Sequence, residues 1–130
     1  MTGTFRLSPS GPCNDDHTRH AANTLTTAVR VLNHATLRHG TGVTSPATVY
    51  DVLGSLAAAT AGLDQLLRQL GQALQHMHAC GRLADDHAGR IAQAMTELDA
   101  ARTTADTLAD RLNQAFNATA SLYLSDGSEQ

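Results

Sequence analysis

The stretch that decides the fold is VYDVLGSLAAATAGLDQLLRQLGQALQHM, residues 49–77. Within this stretch, mostly apolar residues recur at alternating steps of four and three, which places them on one side of a helix. These residues are Val49, Leu53, Leu56, Thr60, Leu63, Leu67, Leu70, Leu74 and Met77. This heptad spacing keeps one side of a helix against neighbouring helices. We therefore predict an all-α protein built from long, mutually packed helices.

A second row of small and apolar residues lies beside this heptad row. Its members, which repeat every seven residues, are Val52, Ala59, Leu66 and Ala73. The row widens the apolar stripe to about three positions in seven, which is typical of a bundle of three or more helices.

Capping and breaking residues predict where the helices begin and end. Ser45 suits an N-cap and Pro46 suits the first helical turn, because proline has no amide hydrogen to leave unpaired there. Gly81 favours a helix end. The sequence predicts a disordered arm over residues 1–14, helices over about 15–38, 46–80 and 84–123, a single helical domain over 15–124 and a polar tail over 125–130.

The third predicted helix continues the four-three rhythm with one charged interruption at Arg102. A shift of one residue, to Ala101 and Leu108, restores an apolar stripe. Two registers therefore remain open near Arg102.

The short segment Gly81-Arg82 predicts that the second and third helices fold back as an antiparallel hairpin. At 1.5 Å per residue the second helix is about 50 Å long, against about 36 Å for the first. The first helix would then be too short to cover the whole apolar stripe, so part of the stripe would stay exposed to solvent in a single chain. We expect a three-helix bundle built on a long antiparallel hairpin and completed by two-fold dimerisation.

This pattern predicts a helical protein–protein interaction or scaffold module that self-associates through its apolar stripe. We expect a homo-oligomer, most simply a dimer, together with a further protein partner that the sequence does not identify. The predicted packing residues are Val52, Leu56, Leu63, Leu66, Leu67, Leu70, Leu74, Met77, Leu98 and Leu112.

An alternative function is a ligand- or metal-sensing helical bundle that uses a His/Cys cluster. His76 and Cys80 would share a helix face at a spacing of four, whereas His78 would point away, and His87 follows beyond the turn. The candidate metal ligands are therefore His76, Cys80 and His87. We find no nucleophile with an adjacent base and no phosphate-binding loop, so we expect no enzyme, no catalytic residues and no cofactor.

Composition and charge narrow the partner classes further. The formal net charge is −3, and the nine cationic residues are all Arg, scattered from Arg6 to Arg111. A nucleic-acid-binding surface needs a basic cluster, which this chain lacks. Seven His are interpreted as polar surface residues, with pH sensing as the alternative. Two Cys make no disulfide framework and no stretch is apolar enough for a membrane span, so we expect a cytoplasmic protein.

Three segments, residues 32–37, 46–54 and 65–70, resemble small helical proteins of unknown role encoded in actinobacteria such as Streptomyces. This resemblance implies a recurrent helical module and supplies no catalytic residues. More distantly, the small size and Ala-rich helices are similar to the WXG100, ESAT-6-like secreted helical hairpins, from which the chain departs in having no Trp. A WXG100-like secreted protein is therefore a further alternative.

Overall fold

The computed structural model describes residues 7–11, 13–38, 40–84 and 89–125, and these residues form helices and connecting turns without a β-strand. The predicted all-α class is confirmed. The helices are α1, Asp15–Ala35; α2, Pro46–Ala61; α3, Leu63–Ala79; and α4, Arg90–Thr119. Contacts divide the chain into two compact units, Met1–Thr44 and Ser45–Gln130.

The first unit contains α1. Asn14 caps its N-terminus, and the Asn14 Oδ1 atom accepts a hydrogen bond from the His17 amide at 2.8 Å. The helix ends at Ala35 rather than at about residue 38, because the backbone of Thr36 has left the helical conformation at ψ 2°. No residue of α1 is buried.

The second unit begins with α2 and α3. Ser45 caps α2, and Pro46 occupies its first turn. The sequence predicts one helix over 46–80, but the structure has two, because the helical hydrogen bonding changes at Gly62. The Gly62 amide donates to the Ala59 carbonyl at 3.2 Å, three residues back instead of four. Glycine has the weakest helix propensity after proline, which makes it the expected place for such a break.

The interruption at Gly62 leaves α2 and α3 in helical phase. Gly62 itself has α-helical backbone angles, φ −82° and ψ −12°, and the Leu66 amide donates to the Gly62 carbonyl at 3.2 Å. Side chains at heptad spacing therefore stay on one side of the chain from α2 into α3.

Helix α4 packs against both α2 and α3. Its contacts run in reverse order along the chain: Phe116 meets Tyr50, and Arg102 meets Asp64. Helix α4 is therefore antiparallel to α2 and α3. The sequence predicts this helix over 84–123. Of its predicted N-terminal part, residues 85–88 lie outside the described residues.

The three-helix bundle and the dimer stay predictions. Within the second unit the described helices form one layer, with α2 and α3 in line and α4 beside them.

Close approach of α4 to α2 depends on Gly54. A Cβ atom at Gly54 would lie 2.8 Å from Cε1 of Phe116. The Phe116 ring has little freedom to move away, because it stacks on Tyr50 with ring centroids 4.2 Å apart. By contrast, a Cβ atom at Gly62 would have the Ala59 carbonyl oxygen as its nearest neighbour, at an ordinary 3.5 Å.

These two glycines form a matched pair for mutation. Gly54→Ala should lower the free energy of unfolding by about 1 kcal/mol, because overpacking outweighs the gain in helix propensity. Gly62→Ala should raise it by about 0.5–1 kcal/mol, since it gains propensity without a clash. Urea denaturation at one fixed protein concentration measures both. Stabilisation by Gly54→Ala would contradict the close packing against Phe116.

Candidate functional site

We call the line along which α4 contacts α2 and α3 the seam. At its most enclosed points the seam holds small residues. Thr60, Gly71 and Ala105 are the buried residues among those described. At Gly71 a Cβ atom would lie 2.9 Å from the terminal carbon of Met95. The Thr60 hydroxyl donates to the Leu56 carbonyl at 2.8 Å, so its polar group is satisfied within its own helix. The helices approach closely at this seam, but small side chains bury little apolar area there.

One ion pair joins the two sides of the hairpin. The Arg102 Nε atom donates to Oδ1 of Asp64 at 2.6 Å, and Arg102 Nη1 lies 3.6 Å from Asp99. The hydrogen bond to Asp64 raises the pKa of the Arg102 guanidinium above its ordinary value. Arg102 therefore remains charged and fixes the register between α3 and α4.

This ion pair explains the charged interruption in the stripe of α4. Sequence reasoning missed the pairing, because Arg102 and Asp64 are far apart in the chain. The usable signal was limited to Arg102, a charged residue within an apolar stripe, which indicates that a partner of opposite charge lies nearby.

A continuous apolar surface lies on one side of the hairpin. Its deepest part is an open groove of about 770 Å³ lined by Leu70, Ala73, Leu74, Met77, Ala94, Glu97, Leu98 and Ala101. Helical periodicity extends this surface in both directions. We call it the leucine face: Val49, Val52, Leu56, Ala59, Leu63, Leu66, Leu70, Ala73 and Met77 from α2 and α3, with Ala94, Leu98, Ala101, Leu108, Leu112 and Ala115 from α4.

Part of the leucine face is open to solvent, whereas six of its larger side chains are half-buried: Val52, Leu56, Leu63, Met77, Leu98 and Leu112. Leu66, Leu70 and Leu108 keep 45%, 46% and 47% of their surface exposed. No side chain among the described residues is fully buried. A contiguous patch of this kind is typical of a surface that binds another protein.

The predicted packing residues divide between the leucine face and the seam. Leu67 and Leu74 are half-buried and lie where the face meets the seam. The others belong to the leucine face: Val52, Leu56, Leu63, Leu66, Leu70, Met77, Leu98 and Leu112. Nearly the whole predicted set therefore lies on one side of the hairpin.

The opposite side of the hairpin carries small side chains together with polar ones. A smaller groove of about 430 Å³ there is lined by Gly54, Ala57, Ala58, Ala61, Ala109, Asp110, Asn113 and Phe116. It offers alanine and glycine surface bordered by a carboxylate and an amide. The two sides of the hairpin are therefore chemically distinct.

The candidate metal ligands are brought together in part. Cys80 Sγ lies 3.7 Å from His76 Nε2 at the end of α3, where both residues are exposed. His78 lies on another side of the helix, and His87 is outside the described residues. Over residues 7–11, 13–38, 40–84 and 89–125, no group of three or more His, Cys, Asp or Glu side chains is placed to hold a metal ion.

A helix that crosses a membrane needs about 20 predominantly apolar residues in succession. Among the residues that the structure covers, none belongs to a helix that combines the length and the apolar character needed to cross a bilayer.

Comparison with family models, curated proteins and solved structures finds no match to this chain. Its function is therefore argued from its own residues.

The ion pair between Asp64 and Arg102 should couple more strongly than an exposed pair. A double-mutant cycle with Asp64→Ala and Arg102→Ala should give a coupling free energy of about 0.5–1 kcal/mol, because both side chains are partly shielded from water. The matched control is Asp16 with Arg19, whose side chains are 81% and 71% exposed. Urea denaturation of the four variants in each cycle measures the coupling. Equal values for the two pairs would contradict a register-fixing role.

Proposed function

We propose that this chain is a helical protein–protein interaction module that self-associates through the leucine face and serves as a scaffold or accessory subunit. The observation that supports it is the exposure of Leu66, Leu70 and Leu108 on one continuous surface. The role is non-enzymatic.

The energetic argument begins with how little the hairpin buries by itself. Burial of a leucine side chain contributes about 1.5–3 kcal/mol relative to leaving it in water. The buried residues at the seam are small, and leucines of the leucine face are about half exposed, so part of this free energy is still available there. A second helical layer over the face would capture it.

The dimensions of the leucine face fit one partner of its own size. From Val49 to Met77 the face is about 40 Å long at 1.5 Å per residue. Two adjacent helices at about 10 Å each give it a width of about 20 Å. The resulting area, about 800 Å² per partner, is that of a standard stable protein–protein interface.

A second copy of the chain is the occupant we propose. It supplies an identical apolar surface, and a two-fold axis brings the two faces together as a four-helix core. In such a dimer the hairpins form two layers, each covering the other. The further protein partner predicted from sequence would then bind outside this core.

Replacing two exposed leucines by glutamate tests this proposal. The wild-type chain should show twice its 13.7 kDa mass by light scattering, and its melting temperature should rise with protein concentration. Leu66→Glu/Leu70→Glu should weaken the dimer by about a hundredfold or more, because four carboxylates would enter an apolar interface.

The matched control is Gln65→Glu/Gln72→Glu. It adds the same charge to exposed positions of the same helix, on the side away from the leucine face. This control should keep the mass of the wild type. A wild-type chain of single mass, with a melting temperature independent of concentration, would overturn the proposed self-association.

A further inference from the structure

Exposed residues of α4 follow the outer edge of the leucine face at intervals of seven: Arg90 at the start of the helix, then Glu97, Thr104 and Arg111. Glu97 borders the groove described above. Within the described part of the chain, neither Glu97 nor Arg111 has an ion-pair partner. Equal spacing of opposite charges about a neutral residue is the pattern that a helix needs to pair with an antiparallel copy of itself.

We infer that two copies of the chain pair α4 against α4 in antiparallel orientation, with Thr104 of each copy at the two-fold axis. This inference rests on the proposed self-association and specifies its geometry. Glu97 of one copy then lies opposite Arg111 of the second copy, and the symmetry makes this ion pair twice. A parallel pairing would instead place Glu97 against Glu97 and Arg111 against Arg111, which electrostatic repulsion disfavours.

The apolar residues of α4 are arranged about nearly the same point, within one residue of Thr104. Antiparallel pairing there sets Ala101 near Leu108 of the second copy, so a small side chain faces a large one and the helices can interdigitate at this contact. It also sets Leu98 near Leu112, so two large apolar side chains meet on either side of the axis.

The apolar residues of α2 and α3 indicate the same position for the two-fold axis. One heptad row of the leucine face is arranged evenly about Leu63, with Leu56 and Leu70 at one distance and Val49 and Met77 at another. The pairing of Asp64 with Arg102 places Leu63 and Thr104 at about the same level of the hairpin. One two-fold axis that crosses the hairpin at this level therefore superimposes both halves of the leucine face on their copies.

The charge at the edge can be reversed to test this geometry. Glu97→Arg alone gives two like-charged contacts with Arg111, and Arg111→Glu alone gives two with Glu97. Each single variant should raise the dimer dissociation constant by about tenfold, and the double variant should restore it, because the pair is re-formed with opposite polarity. Sedimentation equilibrium at low salt measures all four proteins, with circular dichroism to check helicity.

Mixing the two single variants gives a sharper result. A heterodimer of Glu97→Arg with Arg111→Glu has both ion pairs restored, so it should exceed either homodimer. Native mass spectrometry separates the three dimers by mass. A statistical mixture of dimers would contradict the antiparallel pairing.

Cross-linking locates the axis independently of charge. With Cys13 and Cys80, both exposed, changed to Ser, Thr104→Cys should be linked between copies by a short bis-maleimide. Thr103→Cys, which is exposed on the other side of α4, should not. A wild-type dimer whose edge charges have no effect and whose Thr104→Cys variant is not linked would overturn this geometry alone. A monomeric wild type would overturn the proposed self-association itself.

Discussion

A single layer of antiparallel helices has only one internal seam, and at its most enclosed points this seam holds small residues, Thr60, Gly71 and Ala105. Larger side chains of α4 pack there against positions that have no side chain. Leu66, Leu70 and Leu108 lie outside the seam and are about half exposed. The hairpin is therefore held by close contact and one ion pair, while a row of leucines on one side is left uncovered.

Close contact at the seam has a cost in helix stability. Gly54 and Gly71 each lose about 1 kcal/mol of helix propensity relative to alanine, yet each lies against a large side chain of α4 that a Cβ atom would displace. The helices are therefore joined by packing of Phe116 and Met95 into positions without side chains. Such packing is directional, because a shift of one residue along the seam would bring these large groups against a Cβ atom.

The sequence predicted the helical class and most of the surface that we propose as the interface. Heptad spacing over 49–77 is a local signal, and it locates the leucines on one side of a helix without reference to the fold. The break at Gly62 was not predicted, because tertiary packing often overrides weak propensity in a long helix. The pairing of Asp64 with Arg102 was also missed, since residues so far apart in sequence meet only once the hairpin register is known.

The register of α4 shows where such reasoning stops. The sequence left the stripe open between Arg102 and its neighbours Ala101 and Leu108. Both registers are present in the structure, on different sides of α4. Arg102 faces the seam, where it forms an ion pair with Asp64. Ala101 and Leu108 lie on the leucine face. A helix that contacts two partners carries two overlapping stripes, and a single heptad pattern cannot describe both.

The seam and the leucine face contribute differently to the fold: the seam through specific contacts, and the leucine face through apolar area. Glycine contacts and a charge-assisted hydrogen bond are specific, so the seam determines the direction and register of α4. Apolar contact supplies free energy in proportion to area and has little directional preference of its own. A second layer on the leucine face would therefore slide or reverse at small cost unless polar groups at its edge restrict it. At that edge α4 carries Arg90, Glu97 and Arg111. Glu97 and Arg111 have opposite signs and equal distances from Thr104, so in the dimer that we propose they would favour the antiparallel register.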